Sequence, residues 1–263
     1  MLYLGVKKNI FEKMKVKILL IGGSGNLGSE IIKSNLFKNI YAPKKYFLNI
    51  LYPQQISKTL NKYKPNIIIH CASLARMKNC EQNKNTAINN NIFGTLNLVK
   101  EILKFEKENK KTIKLIYLSS DAVYPSVKGN YKENSELGPY NVYGWTKLSA
   151  EFLVKILQKY IIIRTRFYNK TKINYKFSAS DIFTSQINIS LLPKYIKYLI
   201  QDKYNGEINV GGKRISDFKL YKKTKVKLKA FKRKNLLEKL KFQIAKDSSL
   251  NLKRFNKILK KYE

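Results

Sequence analysis

Apolar residues recur along this chain in two rhythms. Short continuous runs at residues 15–22, Ile67–His70, 113–119 and Tyr160–Thr165 read as buried strands. Between them, over 26–36, 54–63, 86–109 and 142–159, apolar positions return every three or four residues, the period of an amphipathic helix. In the longest of these segments Ile88, Ile92, Leu96, Leu98, Ile102 and Leu103 mark the apolar side. A shorter strand near 39–42 is stopped by Pro43, and Lys64, Pro65 and Asn66 form a turn before Ile67. This alternation of strand and helix predicts an α/β fold, a doubly wound parallel sheet.

Beyond Phe167 the rhythm loosens. Residues 189–202, Gly206–Val210, 216–223 and 235–241 read as short elements without a firm type, and 255–262 as a Lys-rich helix. The expected organisation is an arm at 1–14, a nucleotide-binding domain at 15–166, and a small C-terminal lobe at 167–263 over the carboxyl edge of the sheet. Met14 directly precedes the first strand, which marks 1–13 as an added arm or an upstream start. No stretch reads as a signal peptide or a membrane span. The two cysteines, Cys71 and Cys80, have neither CxxC nor metal-ligand spacing, so no metal site is expected and a reducing, cytoplasmic location fits.

Charge adds a second question. Fifty-three Lys and Arg against 17 Asp and Glu give a formal net charge of +36. Phosphate neutralisation on a nucleic acid is one reading. The other is compositional drift, because the excess is almost all Lys, runs the whole length of the chain, and comes with no nucleic-acid-binding signature. The second reading is preferred, so no specific nucleic-acid partner is expected. Within 222–234, Val226, Leu228 and Ala230 read as one face of a strand with lysines toward water.

The first strand runs into Gly22, Gly23, Ser24, Gly25, Asn26, Leu27 and Gly28 and then into a helix. Glycines let a backbone approach a pyrophosphate, and a helix N-terminus offers unpaired N–H groups to it. Alone, such a triplet also describes an ordinary strand–helix turn. About 20 residues on, where an acidic side chain would grip an adenosine ribose, the chain has Lys44 and Lys45. Two ammonium groups suit the 2′-phosphate of NADP, with NAD the alternative; in a Lys-rich chain they also read as surface residues.

Tyr143 and Lys147 stand four residues apart, on one helical face. A cation beside a phenol favours phenolate and lowers its pKa, which makes a proton shuttle for an alcohol or carbonyl. The spacing recurs by chance in a chain with 18 Tyr; Tyr63, Tyr117 and Tyr168 are read as having no chemical role. Upstream, a strand ends in Ser119 and Ser120, where open α/β sheets bind ligands.

Taken together, the segments KILLIGGSGNLGSEI, PNIIIHCAS, NNNIFGTLNLV, LIYLSSDAVYP, GPYNVYGWTKLSAE and IIIRTRF resemble the extended short-chain dehydrogenase/reductase superfamily, in its dTDP-4-dehydrorhamnose reductase branch. The resemblance covers 15–167 and implies a Rossmann-type doubly wound sheet with a small C-terminal substrate lobe. It implies Ser120, Tyr143 and Lys147 as catalytic residues. It places Asn91, Cys71, Ala72, Ser73, Ser119, Asn49 and Ile50 along the cofactor, with Asn49 where many members carry Asp. It sets Asp121, Ala122, Arg166 and Phe167 beside the sugar, and makes His70 structural. Asp121 is followed by Ala122, not by the second carboxylate of the 4,6-dehydratases, so reduction is favoured over dehydration. The implied activity is NADPH-dependent reduction of a nucleoside-diphosphate 4-keto-deoxysugar by an NAD(P)-dependent oxidoreductase. A 4-epimerase and a non-catalytic nucleotide-binding regulatory subunit are the alternatives. A homodimer is compatible with this reading.

Overall fold

The structure, a computed structural model, describes residues 16–173, 175–225, 227–240 and 242–263; the arm at 1–14 lies outside them. The first half runs β1 (Ile18–Ile21), α1 (Asn26–Lys33), β2 (Ile40–Tyr41), α2 (Pro53–Tyr63), β3 (Ile67–His70), α3 (Met77–Gln82), α4 (Lys84–Ile88), α5 (Gly94–Asn109), β4 (Lys114–Leu118), α6 (Val142–Val154) and β5 (Tyr160–Thr165). The second half runs β6 (Phe167–Tyr168), β7 (Phe177–Ala179), β8 (Phe183–Thr184), β9 (Ile187–Asn188), α7 (Leu192–Gln201), β10 (Gly206–Val210), β11 (Ile215–Ser216), α8 (Asp217–Lys222), β12 (Lys229–Phe231), α9 (Arg233–Leu240) and α10 (Lys253–Leu259).

Six parallel strands form the central sheet in the order β10-β5-β4-β3-β1-β2. Successive strand residues point to opposite faces, so Ile18 and Leu20 enter one core while Leu19 and Ile21 enter the other. The second core is closed by α2, α5 and α6 through Leu60, Leu98, Ile102 and Val154. The first is closed by α1, α7 and α10 through Ile31, Ile196, Leu199 and Phe255. β10, α7 and α10 all come from beyond residue 166, so the sheet draws on the segment expected to form the lobe. The remainder of that segment supplies three two-stranded sheets, β11-β8, β12-β7 and β6-β9.

Several boundaries move for local reasons. The expected helix 86–109 is interrupted at Asn89–Phe93 by a π-turn, which rotates the Asn91 side chain inward to bond Leu74 and Thr146. Ile88 and Leu103 consequently stay exposed. The helix expected over 142–159 stops at Val154, and Lys155–Lys159 form the turn into β5. In the basic stretch, β12 is confined to Lys229–Phe231, because Leu228 closes a turn onto Lys225 and is buried while Ala230 is exposed; Val226 lies outside the described residues. No helix among the described residues is long and apolar enough to cross a membrane.

Candidate active site

Strand order reverses between β1 and β3: β2 lies beyond one and β4 beyond the other. A crevice opens at the carboxyl ends of such a pair, and a cavity of about 430 Å³ lies there. One wall is Gly22, Gly23, Ser24 and Gly25; the facing wall is Cys71, Ala72, Ser73 and Leu74. Lys45, Asn49 and Ile50 close one side, with Pro43 and Leu48, and Thr86 and Asn90 the other.

The glycines are dictated by close approach. Gly22 has φ +90°, and a Cβ there would come within 2.6 Å of the Ala72 nitrogen. At Gly28, inside α1, a Cβ would lie 2.2 Å from the Gly22 carbonyl oxygen. Gly25 caps α1 with no side-chain hydrogen bond, and no acidic residue occupies the first turn, so the helix end favours an anion. Backbone cradle, uncapped helix end and Lys45 together fit a dinucleotide. Leu27 and Gly28 are buried as packing residues and Asn26 is exposed. Lys44, Asn91, Ser119, Ser120, Tyr143 and Lys147 also lie outside the cavity lining, whereas Leu74, Thr86 and Asn90 line it without having been singled out from sequence. No periodic signal marks those three; Leu74 comes in on the loop after β3, Thr86 on α4 and Asn90 on the π-turn.

Ser120 follows β4 and caps the short turn Asp121–Val123: its Oγ accepts from the Ala122 N–H at 3.2 Å and donates to Asp121 Oδ1 at 3.1 Å. Helix α6 starts hard against this turn. Asn141 Oδ1 accepts from the Gly144 N–H at 2.8 Å, and a Cβ at Gly144 would lie 2.3 Å from the Ala122 carbonyl oxygen. That contact sets Tyr143 beside Ser120, whose hydroxyl favours the phenolate form. Burial raises the Tyr143 pKa, the Ser120 hydroxyl opposes the rise, and Asp121 adds to it. The sequence reading that Lys147 lowers it is corrected here: desolvation dominates.

Lys147 lies one turn further along α6 and is 2% exposed. Burial pulls its pKa down to about 7, with Glu151, Cys71 and Cys80 acting in the opposite direction. Its Nζ stands 4.0 Å from the centroid of the Tyr117 ring. Burial raises both thiols, Cys71 to about 12 and Cys80 to about 11, which leaves them protonated and poor nucleophiles.

A buried polar network lies behind these residues. Ser119 donates to Glu151, which Arg164 clasps through Nε at 3.1 Å and Nη2 at 2.7 Å. Arg164 Nη1 also donates to the Tyr124 hydroxyl at 2.8 Å and the Glu133 carbonyl at 2.9 Å. Ser119 therefore faces the α6 interior, not the cavity. Sequence pattern did not single out Glu151 or Arg164; the one available signal was that Glu151 shares the helical face of Tyr143 and Lys147.

On the far side of Ser120, Arg166 stands 4.0 Å from Asp217 and faces Asp121. Asp217 is held in turn by Gln186 at 3.0 Å. Burial raises the pKa of Asp121 and of Asp217, and Arg166 opposes both shifts. Ala122 is fully buried, and Phe167 pairs with Ile187 at the edge of this region. His70 is buried, its Nε2 3.2 Å from the Thr95 hydroxyl, and burial holds it neutral with a pKa of about 3. Among the described residues no group of three or more His, Cys, Asp or Glu could hold a metal ion.

Residues 16–189 match the protein family described as RmlD substrate binding domain. Among curated proteins the chain is 29% identical over 144 residues to methionine adenosyltransferase 2 subunit beta of Rattus norvegicus, a stretch covering 51% of this chain but 41% of that relative. The match therefore spans less than half of that relative's length. Among solved structures, dTDP-4-dehydrorhamnose reductase of Bacillus anthracis in complex with NADP superposes with a TM-score of 0.81 at 23% identity, covering 92% of each chain. A dTDP-4-dehydrorhamnose reductase of Clostridium acetobutylicum gives 0.80 at 25% identity, covering 93% of this chain and 92% of that one.

Proposed function

The chain belongs to the RmlD substrate-binding-domain family, and from that premise we propose that it is an NADPH-dependent reductase of a nucleoside-diphosphate 4-keto-deoxysugar. The observation that carries the proposal is the approach of Gly144 to Ala122, which sets the Tyr143 phenol beside the Ser120 hydroxyl, on the helix whose Lys147 lies near Cys71 of the cavity wall. The likeness to reductases over nearly the whole chain supports the same reading.

Bound NADPH would supply the hydride to the carbonyl carbon. The protein supplies orientation and the proton. Gly22, Gly25 and the α1 N-terminus would hold the pyrophosphate, and Lys45 a 2′-phosphate. Ser120 donates a hydrogen bond to the carbonyl oxygen, and Tyr143 gives that oxygen its proton. A phenol with a raised pKa is protonated at neutral pH, the form a proton donor needs. Lys147, one turn away, stabilises the phenolate that remains. Arg166, Asp121 and Phe167 line the sugar side. The balanced reaction consumes ketone, NADPH and one proton and yields alcohol and NADP⁺.

The test is to mix purified protein with NADPH and a dTDP-linked 4-keto-6-deoxysugar. The expected result is loss of the reduced-nicotinamide absorbance with formation of the 4-hydroxy sugar. A 4-epimerase would use the same residues, and would instead retain NAD through purification. The likeness to the methionine adenosyltransferase subunit favours a second reading, a nucleotide-binding regulatory subunit. Tight NADPH binding without turnover of any nucleotide-linked keto-sugar would support it and overturn the first.

A further inference from the structure

Tyr117 is the last residue of β4 to point into the core shared with α5 and α6 before the chain reaches Ser119 and Ser120. Its register neighbours are Ile162 on β5 and His70 on β3. An aliphatic residue such as Ile162 fills this layer equally well by hydropathy, yet the position holds a phenol that is 1% exposed. Directly over its ring, at 4.0 Å from the centroid, stands the Lys147 ammonium. That is well inside the roughly 6 Å range of a cation–π contact, and such contacts are strongest where both partners are desolvated.

We propose that Tyr117 is a positioning residue for Lys147: the negative face of its ring seats the ammonium one helical turn from Tyr143 and keeps it charged in a site that excludes water. The proposal rests on the assignment of Lys147 to the catalytic set.

Glu151 also favours the charged form of Lys147, but the other groups around the ammonium leave the ring a share of this task. On α6, Glu151 is held by two nitrogens of Arg164, which offset its charge. Tyr143 is a neutral phenol. At the end of β3, His70 is neutral and Cys71 a protonated thiol; on α3, Cys80 is a protonated thiol. The Tyr117 ring packs against the His70 ring at 5.5 Å, and its buried hydroxyl has no hydrogen-bond partner among the described residues.

The experiment is a carbon-13 titration of the full chain labelled at lysine Cε, without cofactor or substrate. Lys147→Arg identifies the resonance that titrates near neutrality, far below ordinary lysines. Tyr117→Phe keeps the ring face and should leave that midpoint in place. Tyr117→Leu and Tyr117→Met remove the face and should each shift the protonation equilibrium toward the free amine by about tenfold. Two aliphatic variants guard against one failing to fold. A wild-type midpoint in Leu or Met, or a Phe variant that shifts as far as they do, would overturn the proposal. The readout is independent of turnover. An inactive wild type with a shifted Tyr117→Leu midpoint would defeat the proposed function and keep this placement; an active wild type with no shift would do the reverse.

Discussion

Glu151 on α6 and Arg164 on β5 form an ion pair at 2.7 Å, with each side chain 1% exposed. The pair joins the helix that carries Tyr143 and Lys147 to the strand beside β4, and Ser119 ties the end of β4 to the same carboxylate. It is thus a brace for the turn that presents Ser120.

Breaking one side of a buried pair leaves an uncompensated charge, at a cost of about 3–5 kcal/mol, whereas replacing both partners with apolar groups is often neutral. Arg164→Met should therefore lower the urea midpoint sharply, and Glu151→Leu combined with Arg164→Met should recover much of the loss. Simple additivity of the two single changes would contradict the brace.

Lys147 gives a stability prediction of unusual sign. Its folded pKa, about 7, lies below the 10.5 of an exposed lysine. Between those values the unfolded chain binds the extra proton, so this group makes stability rise with pH from about 7 to 10.5. Its burial therefore costs most below pH 7, on the order of a few kcal/mol. Lys147→Met should stabilise the fold at pH 6 and do so much less at pH 10, by urea unfolding at each pH. An equal effect at both would show that the amine is not desolvated.

Of the two lysines after Pro43, Lys45 lines the cavity and Lys44 does not. Lys45→Ala should weaken NADPH binding about tenfold, as for loss of one charge-assisted contact, and change NADH binding little. Lys44→Ala should have the smaller effect. Calorimetric titration of both cofactors with both variants checks this, and equal losses for NADPH and NADH would remove the assignment.

These predictions mix what the sequence made visible with what only packing could supply. β1, β3, β4 and β5 are apolar on both faces and bounded by turns, so their runs stand out without any partner. β10 does not: Glu207 and Asn209 break its pattern, and its place in the sheet depends on Ile161–Thr165, some 40 residues earlier. The glycine loop was legible as a motif, yet the reason for Gly28 is a carbonyl from the preceding turn that only the fold brings near. Tyr143 and Lys147 could be paired from helical spacing. The ring beneath Lys147 and the carboxylate beyond it could not, because Tyr117 reads as an ordinary strand residue and Glu151 as one more helix charge. The break at Asn89–Phe93 escaped for a related reason: Asn91 leaves the helical path to bond Leu74 and Thr146, and neither partner is near in sequence.

The central claim is that Tyr143 gives the proton to a keto-sugar reduced by NADPH. Tyr143→Phe keeps the ring and its packing and deletes only the donor. The decisive measurement is steady-state reduction of a dTDP-linked 4-keto-6-deoxysugar by wild type and Tyr143→Phe, with NADPH affinity measured on both. The account predicts a fall in kcat of about 10²–10⁴-fold with NADPH binding unchanged. Wild-type turnover by Tyr143→Phe on a substrate the protein accepts would contradict it.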